Sequence, residues 1–167
     1  MPLALFSFFC YNYKGLLLVK KGEIKLSKIK MFSLGGLDEN GKNMFVIEID
    51  KNIFVFEAGL KYADEMTLGI DYIIPNISYL KENKKRIKGI FLTHAHDENI
   101  GALSDIVPEL GDVPVYASKY TIDVVRKEFE TYHISTNNLK EIKAYIPIDI
   151  KGVKISSVPV TGVISSR

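Results

Sequence analysis

Residues 87–99 read Ile87-Lys88-Gly89-Ile90-Phe91-Leu92-Thr93-His94-Ala95-His96-Asp97-Glu98-Asn99. The first part, Ile87 to Leu92, is a short apolar run of strand length. His94-x-His96 follows at once. Side chains at i and i+2 of an extended chain point the same way, so both imidazoles can face one metal ion. Imidazole is a good ligand for zinc and similar metals. The next residues begin a helix from about Ile100 to Leu110, and carboxylates are favoured at such a start by the exposed amides. Asp97 is the expected N-cap there, and Glu98 the carboxylate able to turn toward a second ion. The third histidine of the chain, His133, lies beyond a separate amphipathic helix and reads as a surface residue.

Outward from this stretch, strands and helices alternate with short connections, which predicts an α/β fold. Upstream, Lys30 to Leu34 reads as a strand broken by Gly35-Gly36. Met44 to Ile49 and Ile53 to Glu57 are β-branched and aromatic runs joined by the hairpin signal Asp50-Lys51-Asn52. A loop runs from Gly59 through Gly69 to Pro75, and a short helix is expected over Ile77 to Lys85. Downstream come a strand at Val113 to Ala117 and a helix capped by Ser118 and running to about Tyr132. Strands are expected at Ile142 to Ile146 and Val153 to Val160. The last of these stands seven residues from Arg167, with nothing to cover its neighbour, which suggests a fragment.

Composition narrows the function classes. The 167 residues are 47% hydrophobic with a formal net charge of +2, which fits one globular domain and neither demands nor excludes nucleic acid. Cys10 is the single cysteine, so neither a disulfide scaffold nor a cysteine-based zinc site is possible, and a reducing cytoplasm is the natural setting. Residues 1–29 read as an apolar extension of unknown role. Pro2 to Tyr13 and Leu16 to Val19 are apolar, but Asn12, Lys14 and Gly15 interrupt them. Neither part reaches the ~20 apolar residues of a membrane span. No basic stretch precedes them and no small-residue cleavage site follows, so a signal peptide fits poorly and no membrane role is expected. Lys81 to Lys88 is a basic run, read as a solvated helix end that could also touch an RNA backbone. Gly35-Gly36 with Asp38 and Gly41 reads as a structural turn, since no helix follows to complete a phosphate cradle. Asp71 is placed in a loop near the presumed cleft.

Taken in order, several segments resemble the ribonuclease J family of the metallo-β-lactamase superfamily. They are Leu34-Gly35-Gly36-Leu37-Asp38-Glu39-Asn40-Gly41-Lys42-Asn43-Met44, Glu57-Ala58-Gly59-Leu60, Leu68-Gly69-Ile70-Asp71-Tyr72-Ile73-Ile74-Pro75, and Gly89 to His96 leading into Ile100-Gly101-Ala102-Leu103. The resemblance covers residues 30–167 and implies roughly the N-terminal half of an αββα sandwich, a partial metallo-β-lactamase domain. It also implies RNA as substrate, ribonuclease J-type subunits as partners in a homo- or hetero-oligomer, and zinc as cofactor. Two close zinc ions would polarise the phosphate and lower the pKa of bound water.

The departures from the family pattern carry as much weight. In the motif HxHxDH, His94 and His96 fit, while the aspartate position is Glu98 and the last histidine position is Asn99. The acidic residue of the preceding motif is Glu57 in place of aspartate. Gly162 stands where a further histidine ligand belongs. The metal-ligand set is therefore His94, His96 and, weakly, Glu98. No residue is assigned as catalytic, with Glu98 the one carboxylate that could serve. The expected function is that of a non-catalytic or weakly active ribonuclease J-like paralogue, or a fragment of one, acting with an active subunit in RNA degradation. The alternatives are an active metal-dependent ribonuclease with altered ligands, and a structural fragment whose half sandwich would leave an apolar sheet face uncovered.

Overall fold

The structure, a computed structural model, describes residues 4–11, 27–63, 68–111 and 113–161. Its centre is a six-stranded sheet built from β2 (Ile29–Gly35), β3 (Met44–Ile49), β4 (Asn52–Phe56), β7 (Ile87–Phe91), β8 (Val115–Ala117) and β9 (Leu139–Glu141), in that spatial order. The first three strands pair antiparallel, and β4, β7, β8 and β9 run parallel. Parallel strands need a crossover on a sheet face. The crossovers are α1 (Ser78–Glu82) with a 3-10 turn at Lys84–Arg86, then α2 (Asp97–Ile100) and α3 (Leu103–Leu110), then α4 (Lys119–Thr131).

Period-two alternation sorts the sheet residues onto two faces. Met44, Val46, Ile53, Val55, Ile90 and Val115 are all fully buried and join one core with Leu80, Ile106, Ile122, Val125 and Phe129 from the helices. The opposite face carries Ile49, Phe54 and Phe91, which pack with Val153 and Ile155 of a second sheet. That sheet has the order β1 (Ala4–Tyr11), β11 (Val153–Thr161), β10 (Ile148–Ile150), with β1 antiparallel to β11 from Ala4↔Thr161 to Tyr11↔Lys154. A strand from the apolar N-terminal segment thus completes part of the second layer. A two-stranded ribbon, β5 (Lys61–Tyr62) and β6 (Tyr72–Ile73), flanks the top of β4. The layers are helix, sheet, sheet: a mixed α/β arrangement that forms part of the expected sandwich. Among the described residues, no helix is long and apolar enough to cross a membrane.

Glycine matters at Gly89, in the middle of β7. Phe91 stacks on Phe56 (centroids 5.3 Å apart) and on Tyr116 (4.9 Å), and a Cβ at Gly89 would come within 2.7 Å of the Tyr116 ring. The bare glycine lets the aromatic row lie flat on the sheet.

Three expectations are corrected. The helix expected from Ile100 to Leu110 is two pieces, α2 and α3, with Gly101 and Ala102 between them. The N-cap of α2 is His96, which makes no side-chain cap bond; Asp97 is its first residue and accepts a hydrogen bond from Tyr62 instead (2.6 Å). No strand forms over residues 142–146. Tyr145 takes a left-handed φ of 62°, donates its N–H to Ser157 and turns the chain before Pro147, so the strands fall on either side as β9 and β10. Ser118 caps α4 as expected, its hydroxyl accepting from the Thr121 N–H.

Candidate metal centre

β7 ends at Phe91 and the chain reaches His94 and His96 at the carboxyl end of the parallel strands, where such sheets open their clefts. The turn that follows is clamped by backbone. Ala58 N–H donates to the Asn99 carbonyl (2.7 Å), Leu60 N–H to Asp97 (2.9 Å) and Asn43 N–H to Glu98 (3.0 Å). Three successive carbonyls at the start of a helix are thus held by segments far upstream in the chain. Gly59 makes the approach possible, because a Cβ there would overlap the Glu98 carbonyl.

The two imidazoles converge. His94 Nε2 and His96 Nδ1 lie 3.1 Å apart with their rings at 74°, and a Glu98 carboxylate oxygen is 3.3 Å from the same His96 nitrogen. Thr93 Oγ1 sits 2.8 Å from His94 Nδ1 and so orients that ring. Burial, aided by the neighbouring His96, holds the His94 imidazole below its usual pKa, while Glu98 opposes the shift. A neutral imidazole is the form that ligates metal. His96 Nε2 is buried with no hydrogen-bond partner among the described residues.

Glu57 closes the floor of the turn. It has a left-handed φ of 64°, its N–H donates to Phe91, and its carboxylate accepts from the Thr93 N–H at 3.3 Å to each oxygen. Burial pushes its pKa up to about 7, against hydrogen bonds from Thr93 and from the Asn99 side chain. Asn99 is itself 7% exposed. Its side chain thus stands beside the Glu57 carboxylate, a neighbour that the sequence alone did not suggest.

Two imidazole nitrogens on one tetrahedral metal at ~2.0–2.1 Å would stand roughly 3.3 Å apart, so the His94–His96 pair fits one edge of a single ion's shell. Among the described residues no group of three His, Cys, Asp or Glu side chains is arranged to hold a metal. Glu98 approaches His96 but is 44% exposed. His133, at the end of α4, is exposed with a φ of 57° and does not join the group. Gly162, the other position of interest, lies outside the described residues.

The surroundings are acidic. On the helix side of the turn a cleft of about 510 Å³ is lined by Tyr62, Tyr72, Asp97, Asp105 and Glu128 among others. Glu128 bonds Ser104, and its pKa is raised by burial and then by repulsion from Asp97 and Asp105. The glycine-rich loop is not a phosphate cradle: Gly36 N–H is taken by Glu39, which also pairs Lys42 (3.2 Å) and Lys61 (3.6 Å). Asp71 is exposed, and its backbone carbonyl accepts from Ala63.

The metallo-beta-lactamase superfamily family model matches residues 37–160, which span the clamp, the histidine pair and the central sheet from β3 to β9. The chain belongs to the metallo-β-lactamase superfamily. Within it, the chain is 45% identical over 129 residues to ribonuclease J2 of Bacillus subtilis (strain 168), covering 77% of this chain and 23% of that protein. It is 42% identical over 128 residues to ribonuclease J 2 of Staphylococcus aureus (strain MRSA252), covering 77% and 22%. The chain thus spans less than a quarter of the length of these relatives. Among solved structures, a B3 metallo-β-lactamase with an active-site glutamic acid overlaps 72% of this chain and 45% of its own, at 19% identity and a TM-score of 0.48.

Proposed function

We propose that this chain is the metallo-β-lactamase section of a ribonuclease J2-type protein that handles RNA in the cytoplasm, without catalysing hydrolysis on its own. Residues 30–167 form the partial domain, and residues 1–29 extend it. The observation that carries the reading is the contrast inside one turn. The backbone clamp through Asn43, Ala58, Gly59 and Leu60 is complete, while the position where the family pattern has a last histidine carries Asn99, buried beside Glu57. A framework kept without its ligands suits a subunit that contributes RNA binding or assembly to an active ribonuclease J-type partner. The same family similarity supports RNA as the ligand class.

The test is cleavage of an end-labelled RNA with added zinc or manganese. The wild-type chain is expected to show none, alone or with Glu98→Asp/Asn99→His, and to co-purify with an active ribonuclease J-type subunit when the two are co-expressed. Metal-dependent cleavage by the wild-type chain, abolished by His94→Ala, would overturn the non-catalytic reading. A second reading, hydrolysis at a single ion, is favoured by the 3.1 Å convergence of the imidazole nitrogens with Glu98 beside them. That same cleavage assay decides between the two.

A further inference from the structure

We propose that the chain binds the phosphate backbone of single-stranded RNA on a basic rim at the end of the sheet opposite the histidines. This rests on the RNA reading above and locates the contact. β4 and β7 run parallel. Their carboxyl ends lead to Glu57 and to Thr93-His94, and their amino ends, five residues earlier, start at Asn52 and Ile87. At ~3.3 Å per residue the two ends are roughly 16 Å apart.

Hydrogen bonds and ion pairs knit the amino-terminal end into one surface. Lys28 N–H donates to the Asp50 carboxylate and Asp50 N–H returns to the Lys28 carbonyl (both 2.9 Å). Arg86 Nε donates to the Lys51 carbonyl (3.2 Å), and Lys88 Nζ to the Lys85 carbonyl (3.2 Å). Beneath them Glu48, 3% exposed, accepts from Tyr79 and Arg86 and pairs Lys30 at 3.7 Å. Lys81 pairs Glu109 at 3.0 Å, and Lys84 adds to the field on that carboxylate. Eight cations (Lys28, Lys30, Lys51, Lys81, Lys84, Lys85, Arg86, Lys88) therefore face four carboxylates (Glu48, Asp50, Glu82, Glu109), a surplus of four on a chain whose formal net charge is +2. The rest of the chain is net negative by two.

Neutralisation inside the rim is uneven. Arg86 and Lys30 are spent on Glu48, and Lys81 on Glu109. Among the described residues no carboxylate lies within salt-bridge distance of Lys51, Lys84, Lys85 or Lys88. Lys51, Lys84 and Lys85 are exposed. Their ammonium groups stand on a hairpin turn and a 3-10 turn, both anchored by Arg86, which pairs the buried Glu48 carboxylate below. A polyphosphate needs such a set of point charges and no shaped pocket. The histidine end offers the reverse, with Asp97, Glu98, Asp105 and Glu128 presenting negative charge to any phosphate. On its own side chains, the chain attracts RNA at the rim.

The experiment is fluorescence anisotropy of a labelled oligouridylate with the whole chain, from about 50 to about 200 mM KCl. Four contacts predict a slope of log affinity on log salt of roughly −3, at about −0.7 per phosphate of a single strand. Lys51→Gln/Lys84→Gln/Lys85→Gln/Lys88→Gln is expected to lose at least ~10-fold in affinity at low salt and to flatten the slope by about 3. The comparison variant Lys119→Gln/Lys127→Gln/Lys140→Gln/Lys143→Gln removes the same charge elsewhere and is expected to match wild type. Equal losses in the two variants would overturn the rim as the site, leaving the RNA reading in place. A rim variant as tight as wild type would do the same. Failure of the wild-type chain to bind at the lowest salt would overturn both.

Discussion

The two ends of β4 and β7 are held by different means. At the carboxyl end, the turn from His94 to Asn99 is gripped by main-chain hydrogen bonds from Asn43, Ala58 and Leu60, with Gly59 pressed against it. At the amino end, the hairpin at Asp50-Lys51 and the turn at Lys84–Arg86 are gripped by side chains gathered on one buried carboxylate, Glu48. The first grip is indifferent to which side chains decorate the turn, because carbonyls and N–H groups do the holding. A turn held in this way can keep its shape whatever side chains stand at positions 98 and 99. In the second, charge is both the anchor and the exposed chemistry, so structure and proposed binding draw on neighbouring cations with separate duties.

This comparison can be broken at several points, beginning with the largest effect. Gly59→Ala should cost about 3 kcal/mol, since its Cβ would overlap the Glu98 carbonyl, which Asn43 N–H holds while Leu60 and Ala58 hold its two neighbours. Urea denaturation measures it, and a loss under ~1 kcal/mol would mean the clamp yields easily. Next, Glu57 gives the carboxyl end a pH dependence. Its folded pKa of about 7 lies above the ordinary 4.5, so the folded state holds the extra proton between those values. Stability is then full below about pH 4.5 and falls as pH rises through 7, by up to ~3 kcal/mol. Glu57→Gln should flatten that fall; a profile unchanged by the substitution would contradict the burial argument.

At the amino end, Arg86→Ala strips the main partner from a carboxylate that is 4% exposed, and should cost about 1–3 kcal/mol. Lys84→Gln and Lys85→Gln, a residue or two away, should change stability by less than ~0.5 kcal/mol. If the lysines proved as costly as the arginine, the separation between anchor and exposed charge would fail.

Much of the frame was legible from local pattern. β7 and the His94-x-His96 step announce themselves through an apolar run that stops at two histidines, and Ser118 marks its helix by short-range capping chemistry. What was not legible depends on distant partners. Nothing near Gly59 tells that Glu98 will lie against it, and Asn99 reads as a failed ligand until Glu57 is seen beside it. The strand expected over residues 142–146 failed for a local reason that hydrophobicity hides. The segment alternates well, yet Tyr145 turns left-handed ahead of Pro147, and Ile146 is 57% exposed. The charge asymmetry was legible only in part: the basic run Lys81 to Lys88 stands out in the sequence, but the acidic cleft at the other end gathers Asp97, Asp105 and Glu128 from separate elements.

The most direct test of an intact turn without a working metal pair is the zinc content of the purified, folded chain, set against His94→Ala/His96→Ala. Zinc well below one ion per chain in wild type, changing little in the variant, is the predicted result. About two ions per chain, lost in the variant, is what a working two-metal hydrolase requires, and would contradict it.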